Sequence, residues 1–257
     1  MMNKVLSSLF LILFFSCSFV YAGLSVYPAA TNVMGDPGTE YKSYYQITNT
    51  YEKDIYAVPE LSEGKCFSGN KNIDVDATIK FEKEKYLIPA GQTVTIPYKV
   101  FVNKNFKGSV SVRVSFKAEK DKEDIINIVI SVPVYIMVLG TEKISFNIDS
   151  VDIFNSGDNI CYRMTIENNG NVHIRHTGCI EIYKDKNLIR ELFIAETAPT
   201  YCESKREFKD IVLPTKDLSK GKYTAIFKVN ALNREATKAI SFKVDKFGMV
   251  SVLEKNK

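Results

Sequence analysis

A chain of 257 residues with a formal net charge of +4, its 34 basic and 30 acidic residues interspersed, lacks the long basic run of a nucleic-acid-binding surface. The two histidines come with no G-x-S-x-G motif and the five cysteines form no C-x-x-C pair, so histidine-based acyl transfer, zinc sites and thioredoxin-like redox chemistry have no support. The length suffices for two domains of about 110 residues, each with its own core.

The N-terminus reads as an export signal. Lys4 supplies a positive start, Leu9 to Phe15 an uncharged apolar run, and Val20-Tyr21-Ala22 small residues three and one positions before Gly23. Such a segment is a secretory signal peptide over residues 1–22, too short to span a bilayer comfortably. The alternative is lipidation of Cys17 after Phe14-Phe15-Ser16, although a lipobox has an aliphatic residue where Phe14 stands. No later stretch has membrane length, so the expected location is the periplasm or cell surface, with no membrane span in the mature chain.

From residue 24 onward the pattern has period two. Tyr45, Ile47 and Asn49 alternate with Tyr44, Gln46 and Thr48, and Val94 to Ile96 and Val110 to Phe116 repeat the rhythm. Such runs recur about every ten residues between Gly, Pro, Asn and Asp clusters, which predicts a β-sandwich. The longest run, 125–139, puts Ile126, Ile128, Ile130, Val132, Val134, Ile136 and Val138 on one face, which must be core. Pro133 cannot donate a ladder hydrogen bond, so this strand is expected at a sheet edge or with a bulge.

Leu139-Gly140-Thr141-Glu142-Lys143 marks a domain boundary. Beyond it, strands are predicted near 144–153, 160–168, 177–184, 187–194, 206–213, 222–230 and 237–244. Asn168-Asn169-Gly170-Asn171 tolerates positive φ and predicts a sharp turn. The expected fold is all-β: two immunoglobulin-like β-sandwich domains in tandem, residues 23–140 and 141–246, followed by a polar tail at 247–257.

Few residues suggest chemistry. His173 and His176, three apart in extended chain, point to opposite faces, which disfavours a shared metal and predicts turn or surface histidines. Asp74 and Asp76 share a strand face without the spacing of a calcium loop, so they read as solvated. Lys83, Lys85, Lys117, Lys120 and Lys122 interleave with acidic residues as solubilising charge. No catalytic residue, metal or cofactor is expected, and the 14 Tyr and 16 Phe are read chiefly as core. In an exported chain the cysteines are expected to pair. The hairpin 177–194 brings its far end back beside Cys179, and Cys202 follows Pro199 near that end, so a Cys179–Cys202 disulfide is predicted, with Cys66 and Cys161 free.

Two resemblances follow. Leu24-Ser25-Val26-Tyr27-Pro28, Tyr45-Gln46-Ile47-Thr48-Asn49-Thr50, Asp54-Ile55-Tyr56-Ala57-Val58 and Ile88-Pro89-Ala90-Gly91-Gln92 resemble the N-terminal domain of periplasmic pilus-assembly chaperones of the PapD type, over residues 24–140. Strand 125–139 sits where that family has the last strand of its first domain. The family holds the subunit's C-terminal carboxylate with basic residues on its first and last strands. Here Val26-Tyr27-Pro28-Ala29 and Val134-Tyr135-Ile136-Met137 contain neither Lys nor Arg. In the second half, Asn168-Asn169-Gly170-Asn171-Val172-His173 and the run Gly178 to Tyr183 are similar to Ig-like modules of bacterial surface proteins that accompany WxL-domain proteins. Wall-associated members of that group end in a transmembrane anchor, which is not expected here.

These resemblances imply a non-enzymatic, chaperone-like adaptor that pairs a strand edge with another exported or cell-envelope polypeptide. Ladder bonds would supply affinity and alternate side chains selectivity. The expected docking residues are Val129, Ser131, Tyr135 and Met137. The alternative is a structural or adhesive surface module that holds wall polymer or a surface protein.

Overall fold

A computed structural model describes residues 23–63, 74–119, 128–196 and 198–254. The chain is all-β and forms two immunoglobulin-like sandwiches in tandem.

In the first sandwich, β1 (Leu24–Tyr27) pairs with β3 (Glu40–Asn49), and β3 with β7 (Thr93–Phe101), which pairs in turn with β5 (Ile79–Phe81). The facing sheet holds, in order, β2 (Thr31–Gly35), β9 (Val129–Val138), β8 (Ser109–Glu119), β4 (Ile55–Glu63) and β6 (Tyr86–Ile88). The chain changes sheets between β1 and β2 at the cis Tyr27–Pro28 bond, where the missing proline N–H ends the ladder. Between the sheets Tyr45 stacks on Tyr98 at 4.6 Å and meets Phe116 edge-on at 5.2 Å. Val132, Val134, Ile136 and Val138 of β9 interleave there with Val110, Val112 and Val114. Each such buried β-branched side chain contributes roughly 1.5–3 kcal/mol.

The second sandwich places β10 (Phe146–Ser156), β11 (Asn159–Asn168) and β14 (Ser204–Pro214) against a five-stranded sheet. That sheet runs β13 (Asn187–Ile194), β12 (Thr177–Lys184), β15 (Gly221–Ala231), β16 (Arg234–Val244) and β17 (Val250–Glu254). Its core is separate, built around Tyr162, Phe227, Phe242, Ile160 and Ile166.

Two expectations need correction. The tail is not merely polar: β17 joins the sheet along β16, with Val250 and Val252 packed on the core. Asp245 makes that strand possible by accepting the N–H groups of Phe247 and Met249 at 2.7 and 2.9 Å, which closes the turn before it. Asp74 does not lie on a strand. It precedes α1 (Val75–Thr78) and accepts the Ala77 N–H at 3.0 Å, the role of a helix N-cap.

Candidate strand-docking edge and the joint behind it

Strand β9 is paired on one side along its whole length and on the other side along only half of it. Its antiparallel partner β8 runs opposite it from Lys117↔Val129 to Ser109↔Met137. Ala118 donates to the Ile128 carbonyl at 3.0 Å, and Val138 donates to Gly108 at 2.8 Å. Even-numbered backbone groups therefore face β8, and odd-numbered ones face away. Leu139, an odd position, donates to Gly35 of β2 at 3.0 Å, as that parity requires. Strand β2 pairs with β9 in parallel from Thr31↔Val134 to Gly35↔Val138 and no earlier. Among the described residues no strand pairs with Val129 or Ser131 on that side, so their backbone groups face an edge without a ladder partner. Pro133 sits where the open half ends and needs no ladder partner there.

The four expected docking residues divide at this point. Val129 is 51 % exposed, and exposed Ser131 meets Ser115 hydroxyl to hydroxyl at 2.7 Å. Tyr135 and Met137 are buried, 4 % and 7 % exposed, beneath the second domain. Tyr135 stacks on His173 with centroids 4.6 Å apart, and its hydroxyl lies 3.4 Å from that of Tyr201. Burial first, then Tyr201, holds its phenol well above the usual range. Met137 packs on Val172, Ile174 and Ala231. These two side chains are not accessible for docking in this arrangement. The odd face is outward-facing only until another domain covers it.

The Asn-Asn-Gly-Asn segment builds this joint. Asn168, fully buried, donates to the carbonyls of Val172 and Thr200 at 2.8 and 3.1 Å and accepts the Gly170 N–H. Asn171 reaches into the linker: it accepts the Lys143 N–H at 2.6 Å and donates to the Thr141 carbonyl at 3.0 Å. Its own carbonyl accepts the Ser109 N–H at 2.8 Å, and Ser109 Oγ accepts the His173 N–H at 2.8 Å. A Cβ on Gly108, at φ +69°, would run into the Asn171 carbonyl, so glycine alone permits this approach.

The histidines are not surface residues. His173 is 8 % and His176 2 % exposed, and both are pushed down to about 4 by burial, with the Arg175 and Arg206 charges adding respectively. They do face apart. His173 faces the first domain, whereas His176 is ringed by Phe146, Phe208 and Thr200 of the second. Residue 175, two positions past His173 in extended chain, shares its side. The guanidinium of Arg175 lies 5.6 Å over the Tyr135 ring and 3.7 Å from Glu196. A cleft of about 420 Å³ opens here, lined by Asn32, Met34, Tyr135, His173, Arg175 and Glu196 among others. The second domain thus brings the Arg175 cation against Tyr135 of the first. Only a contact across domains reveals it.

The predicted Cys179–Cys202 bond is absent. Cys179 is a free thiol, as is Cys161. Cys179 lies within β12, opposite Phe193 on one side and Lys228 on the other, whereas Cys202 lies buried just before β14 in the other sheet. Opposite sheets hold them apart, although the chain passes near the hairpin end. Burial and the neighbouring Glu191 push the Cys179 thiol up to about 11, so it is an inert thiol at neutral pH. Cys202 is itself disulfide-bonded. Cys66 and Cys17 lie outside the described residues, as does the signal segment. Cys179, Glu181 and Glu191 cluster within 4.8 Å, but the Lys228 ammonium already sits 2.6 Å from Glu181 as its counter-ion.

No protein-family model matches the chain, and no curated protein matches it. Among solved structures it is similar to the class 5 fimbriae chaperone CfaA, at 16 % identity over 91 % of this chain and 100 % of that one, with a TM-score of 0.47. It is also similar to the E. coli chaperone DraB, at 13 % identity over 86 % and 97 %, with a TM-score of 0.41. A third is a structure of the CsuC–CsuE chaperone–tip adhesion subunit pre-assembly complex of Acinetobacter baumannii, at 13 % identity over 84 % and 98 %, with a TM-score of 0.43.

Proposed function

We propose that this protein is an exported, non-enzymatic, chaperone-like adaptor that binds an extended segment of another envelope polypeptide along the first half of β9. One observation carries the reading: the backbone groups of Val129 and Ser131 face an edge with which no described strand pairs, while the same strand is paired on both sides from Val134 onward. An incoming strand would complete that ladder until it meets the start of β2, with ladder bonds for affinity. Export rests on the N-terminal signal pattern of residues 1–22.

The parity of β9 supplies the test. Ser131→Pro removes an outward N–H at a position equivalent to the native Pro133, so the fold should be retained and partner capture lost. Ile130→Pro removes an N–H directed at β8 and should unfold the first domain, by about 3 kcal/mol or more. The readout is affinity capture of the mature protein from an envelope extract, with mass spectrometry of what co-purifies and thermal unfolding of each variant. A folded Ser131→Pro protein that still retains every wild-type partner refutes docking at this edge.

A further inference from the structure

The joint between the domains rests on few side chains. Met137, Val172, Ile174 and Ala231 form its apolar part, and Tyr135 on His173 its aromatic part. Interfaces of this kind within one chain permit relative domain motion. In the linker, Gly140 at φ +77° has open space where a Cβ would lie. His173 is the titratable ring in this contact, and its Nδ1 is buried without a hydrogen-bond partner.

A proton on the buried Nδ1 would find no hydrogen-bond acceptor in the closed arrangement. From its own segment it faces the Arg175 cation, which repels it. The Glu196 carboxylate is engaged by Arg175 at 3.7 Å. From the first domain it faces the neutral Tyr135 ring and the Ser109 hydroxyl, which already accepts the His173 N–H. The Tyr135 π-face also favours a cation, and Arg175 already lies over it. Opening the joint would return the ring to water, where an imidazolium is well solvated.

We propose that His173 makes the interdomain joint an acid-released latch, in which protonation of its ring detaches the second domain from Tyr135 and Met137 and widens the cleft behind the docking edge. The latch stands on the joint alone, and its consequence for docking rests on the function proposed above. His176 is the internal control: its ring neighbours are all in the second domain, so its protonation strains that domain and leaves the joint closed.

Amide hydrogen exchange of the full chain tests the latch, because two amides report on it directly. The Ser109 N–H donates to Asn171 and the His173 N–H to Ser109 Oγ, both across the joint. After correction for intrinsic rates, both should exchange about thirty-fold faster at pH 5.0 than at pH 7.5, given a ring that titrates near 4 when closed and near 6.5 when open. Strands β12 and β15, whose acid response follows His176 and the stability of their own domain, should respond alike in the wild type and in the His173 variants. His173→Phe keeps a ring without a proton site and should abolish the difference, His173→Gln should do the same with a polar side chain, and His176→Phe should preserve it. Equal protection of the two amides at both pH values in the wild type overturns the latch. So does an acid response that persists in both His173 variants. Failure of the Ser131→Pro capture test would sink the docking reading and leave this measurement unaffected.

Discussion

Along β9, Val129 and Ser131 occupy the same odd-numbered face as Tyr135 and Met137, yet the first pair is exposed and the second is buried. The local alternation does not distinguish them, because all four lie opposite the face that fills the first core. What separates them is distant in sequence. Strand β2, about a hundred residues earlier, covers the edge from Val134 onward, and the segment around His173, about forty residues later, covers the face. A strand edge stays unpaired and exposed only where both neighbours stop short.

Four measurements would break or sharpen this contrast. The largest effect should come from the shared core face: Ile136→Ala leaves a cavity at a fully buried position and should cost about 2–5 kcal/mol in urea unfolding. Next comes Tyr135→Glu, which a sequence-only view of an exposed edge expects to be neutral for stability. With Tyr135 buried against His173, the introduced carboxylate has no cation but the already engaged Arg175, and should cost about 2–3 kcal/mol. A loss below about 0.5 kcal/mol would show that the second half of β9 is as open as the first.

Third, acid should destabilise the folded chain. Both histidines are held near 4 when folded against 6.5 in an unfolded chain. The unfolded state then binds more protons in that interval, so the stability they contribute is fully present above about pH 6.5 and is lost as pH falls towards 4. Denaturant midpoints recorded between pH 7.5 and 4.5 should fall, and replacing either histidine with Phe should flatten that fall. The smallest effect belongs to the open half: Val129→Ala should change stability by no more than about 0.5 kcal/mol while weakening partner capture.

The cysteines offer a check that involves no energy scale. Peptide mapping without reduction should find Cys202 in a cross-linked peptide and Cys161 and Cys179 in none. A Cys179–Cys202 peptide would require the two sheets of the second domain to be arranged differently.

Much of the architecture is local and could be read from the chain. The alternating runs at 160–168 and 177–184 correspond to β11 and β12, because a strand that buries one face writes a period of two into its own residues. The tail strand β17 escaped because only Val250 and Val252 pack on the core, too short a run to stand out. Arg175 escaped for a different reason. Its importance lies in a neighbour from the other domain, and no spacing within its own segment encodes that.

The same division holds for the whole protein. Its amino-acid order determined the all-β class, the strand positions and the core face of β9, since each follows from the pleat of a single strand. Tertiary structure decided which stretch of that strand is left unpaired, that the Asn168–Asn171 turn clamps one domain to the other, that both histidines are buried, and that Cys179 stays reduced. These depend on which distant segment occupies the next position in space, and a periodicity of two residues carries no information about that.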